Sequence, residues 1–134
     1  MLRSFFTLYI LVSIAWASPA VVQRRAWPSG SVTCGSNVYT LAQVKAAVAR
    51  GVEDLDDPVG SNSYPHAYYN YEGLDMWCTG ESSPYNEFPI LESGLYTGQD
   101  PSTDRVVFAD DGTYCAVVTH TGASGDDFVA CDGD

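Results

Sequence analysis

Four cysteines, Cys34, Cys78, Cys115 and Cys131, constrain this chain more than any other feature. A domain of this size buries a thin core, and in an exported protein an even cysteine count reads as a disulfide framework that reinforces it. Four cysteines permit three pairings, and spacing alone leaves all three open. The N-terminus supplies the reason to expect export. Arg3 precedes an apolar run from Phe5 to Ala15, too short for a stable membrane anchor, and Ala15-Trp16-Ala17 has the small-x-small pattern of a signal-peptidase site. Residues 1–17 therefore read as a signal peptide. Residues 18–25 read as a pro-peptide ending at the dibasic pair Arg24-Arg25, which leaves 26–134 as a single small domain. No later apolar stretch reaches membrane length, so a secreted, extracellular protein with no membrane association is expected.

Two further classes are set aside by residue counts. No Cys-x-x-Cys spacing occurs and the two histidines, His66 and His120, stand 54 positions apart, so no zinc signature is present and neither metal nor cofactor is expected. After Arg25 only Lys45, Arg50 and Arg105 are basic, against all 17 acidic residues. Proteins that bind polyanions usually carry a basic patch. Composition alone therefore points away from nucleic acid, and only a specific site could reverse that.

One segment has the marks of a helix. Thr40 with Gln43 makes a capping box, Leu41, Val44, Ala47 and Val48 form an apolar face, and Lys45 and Arg50 suit the later turns. Gly51 is placed to close it. Gly51 to Ser63 reads as an acidic, exposed loop. Short strands follow at Glu87–Leu91, Arg105–Phe108 and Tyr114–His120, with a last one within Phe128–Cys131. Asp111-Gly112 marks a tight hairpin between the second and third. The expected fold is α+β: one N-terminal α-helix packed on a twisted antiparallel β-sheet, stabilised by disulfides.

Alternation along a strand sorts the polar residues. Tyr64, His66 and Tyr68 share a face, as do Arg105 with Val107 and Val118 with His120. Glu87 joins them if its strand pairs in the matching register. Glu87, Arg105 and His120 each interrupt an apolar strand, which is where a sheet face carries a site rather than a core.

Five segments occur in a telling order: Tyr64-Pro65-His66, Tyr71-Glu72-Gly73, Glu87-Phe88-Pro89-Ile90, Asp104-Arg105-Val106-Val107, and Thr119-His120-Thr121-Gly122-Ala123-Ser124-Gly125. With Phe128 and Cys131 they resemble the fungal guanyl-specific ribonucleases, and the resemblance runs from about Cys34 to Cys131. It implies a metal-independent endoribonuclease that cuts single-stranded RNA after guanosine, through a 2′,3′-cyclic phosphate to a 3′-phosphate. Such cleavage needs a base for the ribose 2′-hydroxyl, an acid for the departing 5′-oxygen, and donors for the phosphoryl charge. By resemblance, Glu87 is the base, His120 the acid, and His66 assists Glu87. Arg105 and Tyr64 bind the phosphate, with Phe128 packed behind it. DNA, lacking the 2′-hydroxyl, is not cleaved.

The same resemblance places a guanine between Tyr68 and Tyr71, with backbone groups of Tyr69 and Asn70 on its O6/N7 edge and Glu72 accepting from N1–H and N2–H. Asp126 lies beside this base site. It also implies a Cys34–Cys131 bridge joining the two ends of the domain, and a purine-preferring branch of the family suggests Cys78–Cys115. Four features depart from the family pattern, one being Val38 at a position of the family's small N-terminal disulfide. Tyr69 stands where Asn is frequent, Asp126-Asp127 replaces a common Asn-Asn pair, and the stretch Leu74 to Pro84 is about three residues longer and carries Cys78. A monomer acting on RNA is expected, whether it serves general RNA turnover or acts as a cytotoxic effector. A catalytically dead RNA- or protein-binding module would be expected to have lost Glu87, Arg105 or His120, and all three are present.

Overall fold

The structure is a computed structural model that describes residues 27–134. The expected signal peptide and pro-peptide lie outside the described residues. The described residues begin their regular structure with a hairpin of β1 (Val32–Cys34) and β2 (Asn37–Tyr39), followed by the helix α1 (Leu41–Glu53). Five antiparallel strands then form one sheet in sequence order: β3 (His66–Tyr68), β4 (Tyr85–Pro89), β5 (Asp104–Phe108), β6 (Tyr114–Thr119) and β7 (Val129–Ala130). Among the described residues, this is the expected α+β arrangement of one helix on an antiparallel sheet.

The helix starts where its cap requires. The Thr40 side chain accepts from Gln43 N at 3.2 Å, and Gln43 returns the bond to Thr40 N at 2.8 Å, satisfying two end groups. Val44, Ala47 and Val48 are buried against the sheet, where Phe88, Val106, Phe108 and Val117 form the main core. Gly51 does not close the helix. It lies inside α1, which ends at the cap residue Asp54, and Arg50 Nε pairs with Asp54 Oδ2 at 3.2 Å. The physical reason is packing: a Cβ on Gly51 would stand 2.7 Å from the Phe108 ring. Glycine is there to let helix and sheet approach, at some cost in helix propensity. The acidic loop is correspondingly shorter than expected, and Val59 is bridged to Tyr64 within it.

The β5–β6 hairpin also differs in detail. Gly112 N bonds to Ala109 O at 2.9 Å and Ala109 N to Thr113 O at 2.9 Å, with Gly112 at φ 86°. The turn is thus a three-residue loop ending in a left-handed glycine, rather than a two-residue turn centred on Asp111-Gly112. On β6 the extra residue of a bulge is Cys115, and its side chain bonds to Cys78. The second disulfide joins Cys34 to Cys131, whose Cα atoms are 4.7 Å apart across 97 residues of chain. In the chain-entropy picture a loop of that length stabilises the fold by about 4–5 kcal/mol.

A buried carboxylate ties the N-terminal hairpin to the sheet. Asp104, 1% exposed, accepts from Tyr39 Oη at 2.6 Å, Thr119 Oγ1 at 2.7 Å, Asn37 Nδ2 at 2.9 Å and Thr103 Oγ1 at 3.0 Å. Burial, and then the bond to Asp104, push the Tyr39 phenol well above its ordinary range, so it remains a donor. Four donors are what a buried carboxylate needs to stay in the interior.

Candidate active site

The sheet has two faces, and the register decides what each presents. Phe88 pairs with Val106 and Val106 with Val117 on the helix side. One residue away along each strand, His66 pairs with Glu87, Glu87 with Val107, and Arg105 with both Pro89 and Val118. Side chains directly opposite in antiparallel strands point the same way. Glu87 therefore does join His66 and Arg105 on the face turned away from the helix. Beneath them a second apolar cluster of Tyr68, Val107, Ala116, Val118 and Phe128 provides a dry floor.

Glu87 is 7% exposed, and its Oε1 pairs with His66 Nε2. The other ring nitrogen of His66 donates to the Asn62 carbonyl at 3.0 Å. Both nitrogens face acceptors, so the doubly protonated ring is the satisfied form. The Glu87 bond, helped by Asn62, holds the His66 pKa above its ordinary 6.5, against opposing effects of burial and the Arg105 charge. Glu87 Oε2 is buried and makes no hydrogen bond among the described residues.

Arg105 is 3% exposed and anchored from behind. Nη1 is shared among the carbonyls of Asp104, Ser102 and Pro101 at 2.8, 2.9 and 3.1 Å, while Nη2 donates to Tyr64 Oη at 3.0 Å. Its Nε has no partner, and among the described residues no carboxylate forms an ion pair with it. Tyr64 is buried, stacked on His66 at 4.5 Å and braced edge-on by Tyr96 at 5.6 Å. Since its oxygen accepts from Arg105, the hydroxyl proton is left to donate elsewhere. A buried cation and a hydroxyl proton with bonding capacity unused suit an anionic group, while the unpaired Glu87 oxygen on the same face suits a hydrogen-bond donor.

His120 follows the end of β6, its backbone N–H bound to Thr103 O at 2.9 Å. The ring stacks on Phe128 with centroids 3.9 Å apart, and Nδ1 donates to the Asp127 carbonyl at 2.9 Å. That bond fixes the ring and leaves Nε2 as the available nitrogen. No direct contact joins His120 to Glu87. They stand on opposite flanks of Arg105 across the sheet.

The loop after β3 is shaped by Asn70, at φ 56°. Its Oδ1 accepts from Leu74 N at 2.8 Å and its Nδ2 donates to Leu74 O at 2.9 Å, closing a compact turn. Within that turn Tyr68 Oη donates to Glu72 Oε2 at 2.6 Å. Burial, and then the Glu72 carboxylate, hold the Tyr68 phenol well above its ordinary range. Among the described residues no ring contact joins Tyr68 to Tyr71, the two rings that the resemblance sets either side of the base. Tyr71 stacks on Tyr69 at 5.5 Å, and Tyr68 meets Phe128 edge-on at 5.6 Å. An aromatic ring at position 69 gives Tyr71 an apolar partner that the frequent Asn could not. Asp126 is exposed and makes no hydrogen bond to this loop.

Sequence reasoning missed the carbonyls of Asn62, Pro101, Ser102 and Asp127, which orient His66, Arg105 and His120, and the brace from Tyr96. A backbone carbonyl leaves no trace in residue type, so no signal pointed to the first four. Among the described residues no three His, Cys, Asp or Glu side chains converge as a metal site.

Comparison with known proteins followed the same direction. The model of a family described as ribonuclease matches residues 27–132. Guanyl-specific ribonuclease F1 of Fusarium fujikuroi is 45% identical over 133 residues, covering 98% of this chain and 95% of its own. Guanyl-specific ribonuclease T1 of Aspergillus oryzae is 48% identical over 125 residues, 91% of each chain. Among solved structures, the ribonuclease from Hericium erinaceus superposes with a TM-score of 0.53 at 35% identity, covering 77% of this chain and 99% of that one.

Proposed function

The chain belongs to the ribonuclease family, and from that premise we propose that it cuts single-stranded RNA on the 3′ side of guanosine by side-chain acid–base catalysis. The observation that carries the proposal is the pair of buried, partly unsatisfied groups on one sheet face, Glu87 Oε2 and the Arg105 guanidinium, with Tyr64 between Arg105 and His66. Glu87 takes the proton of the ribose 2′-hydroxyl, and that oxygen attacks the adjacent phosphorus. His120 Nε2 gives a proton to the departing 5′-oxygen, leaving a 2′,3′-cyclic phosphate and a free 5′-hydroxyl. In the second step the roles reverse. His120 takes a proton from water, the water oxygen adds to phosphorus, and Glu87 returns its proton to the 2′-oxygen, giving a 3′-phosphate.

Arg105 and the Tyr64 hydroxyl stabilise charge on the phosphoryl oxygens, and the His66 ring holds Glu87 in place through their bond. Phe128 holds the His120 ring and shields the phosphate from behind. Glu72 accepts from guanine N1–H and N2–H, while the rings of Tyr68, Tyr69 and Tyr71 and the backbone of the Asn70 turn supply stacking and edge contacts. Asp126 borders the base site. That the similar proteins are guanyl-specific ribonucleases supports the guanine choice. Export directed by a signal peptide over 1–17, with a pro-peptide over 18–25 ending at Arg24-Arg25, delivers a secreted enzyme, in keeping with its two disulfides, and it acts as a monomer.

The test is digestion of GpN, ApN, CpN and UpN dinucleotides in EDTA, with products separated by chromatography. GpN should be cleaved well ahead of the others, through a cyclic intermediate. Cleavage that requires added metal, or that shows no purine preference, would overturn the proposal.

A further inference from the structure

The Glu72 side chain stands in an exposed turn, and among the described residues its one bond is the 2.6 Å contact from Tyr68 Oη. Tyr68 itself is fixed. It is 6% exposed, sits at the end of β3 opposite Tyr85, and is wedged edge-on against Phe128. The alternative acceptor, Asn70 Oδ1, lies farther away at 3.3 Å and is already occupied by Leu74 N–H. A rigid, buried phenol therefore holds a carboxylate that would otherwise turn freely about three bonds.

We infer that the Tyr68 hydroxyl is a positioning group for Glu72, and that discrimination between guanine and adenine depends on this bond as well as on the carboxylate. The inference rests on the guanine reading proposed above. Each carboxylate oxygen can accept twice, so Oε2 keeps the Tyr68 bond while the two oxygens receive N1–H and N2–H of guanine. A carboxylate oriented beforehand loses less freedom on binding, which favours guanine. Against adenine the same constraint is hostile. The bare N1 acceptor faces a carboxylate held in place, and two acceptors set against each other leave both without a donor. Releasing Glu72 should weaken the right base and admit the wrong one.

The test is Tyr68→Phe, which keeps the ring and its contact with Phe128 and removes only the donor. The ratio of kcat/KM for GpN to that for ApN should fall about tenfold, as expected for one hydrogen bond to a charged group. In a Glu72→Ala background the same substitution should leave the ratio unchanged, because the phenol then has nothing to position. A merely structural role for Tyr68 would lower both dinucleotides together in either background, and that result would overturn the inference. So would a Tyr68→Phe enzyme that keeps the parental ratio within about twofold. Should Tyr68→Phe fail to fold, Glu72→Asp withdraws the carboxylate from the phenol by one methylene, and its ratio must fall likewise. Loss of discrimination already in the parent enzyme would instead strike at the guanine reading itself.

Discussion

At the scale of single residues, His66 carries the most direct expectation. Its bond to Glu87 raises its pKa above 6.5, so folding takes up protons around that value. The sign follows from linkage. The His66–Glu87 contribution to stability is complete below the ordinary histidine value and is lost as pH rises through the higher folded value. Histidine NMR titration of the protein should show the His66 ring titrating above 6.5, and Glu87→Gln should bring that ring down towards it. A His66 that titrates at or below 6.5 with Glu87 intact would contradict the geometry. Much of this residue pattern was legible beforehand. Glu87 and Arg105 stood out as charges in apolar strands, and period-two alternation put each on a definable face. What alternation could not supply was register, which arrives with the observed pairing of His66 to Glu87 and Arg105 to Val118. Nor could residue type announce the carbonyls of Asn62 and Asp127, because every residue has one.

Elements obey a competition between local preference and packing, and Gly51 shows which wins. Local rules placed glycine at the helix end, yet α1 runs through it to Glu53. Replacing Gly51 by Ala would gain about 1 kcal/mol of helix propensity. It would also set a methyl group 2.7 Å from the Phe108 ring and 3.1 Å from Phe88 Cβ, both in the core. Overpacking of this kind costs about 1–3 kcal/mol. Gly51→Ala should therefore be destabilised by up to about 2 kcal/mol in urea denaturation, the overpacking cost less the propensity gain. A more stable variant would mean that helix and sheet separate more easily than the contact implies. The capping box was legible because its two bonds are local. The Phe108 contact was not, because it depends on a strand more than fifty positions away in the chain. The Asp111-Gly112 signal was read as a hairpin of the right place but the wrong loop length, since the neighbouring Ala109–Thr113 pairing decides the turn.

For the molecule as a whole, the puzzle is an acidic protein acting on a polyanion. The formal net charge of the full chain is −11, and after Arg25 only three basic residues remain. Of these, Arg105 is spent on the site, and Arg50 is paired with Asp54 while Lys45 lies over Trp27. Among the described residues no cationic track extends from the site along which a long RNA could be held. Binding must then rest on one phosphate and one base, with the remaining surface repelling flanking phosphates. Salt separates these contributions. In the proposed site Arg105 and His120 serve the scissile phosphate in a dinucleotide and in a long RNA alike, so counterion release at that phosphate cancels in the ratio of the two substrates. What survives in the ratio is repulsion of the flanking phosphates, whose range shrinks from about 30 Å at 0.01 M salt to about 8 Å at 0.15 M. The kcat/KM for a long unstructured RNA, divided by that for GpN, should therefore rise with salt over this interval. Nucleases that hold RNA on a basic surface behave in the opposite sense, because added salt weakens their extended contact. A ratio that falls severalfold here would reveal an extended RNA-binding surface that the charge distribution does not contain.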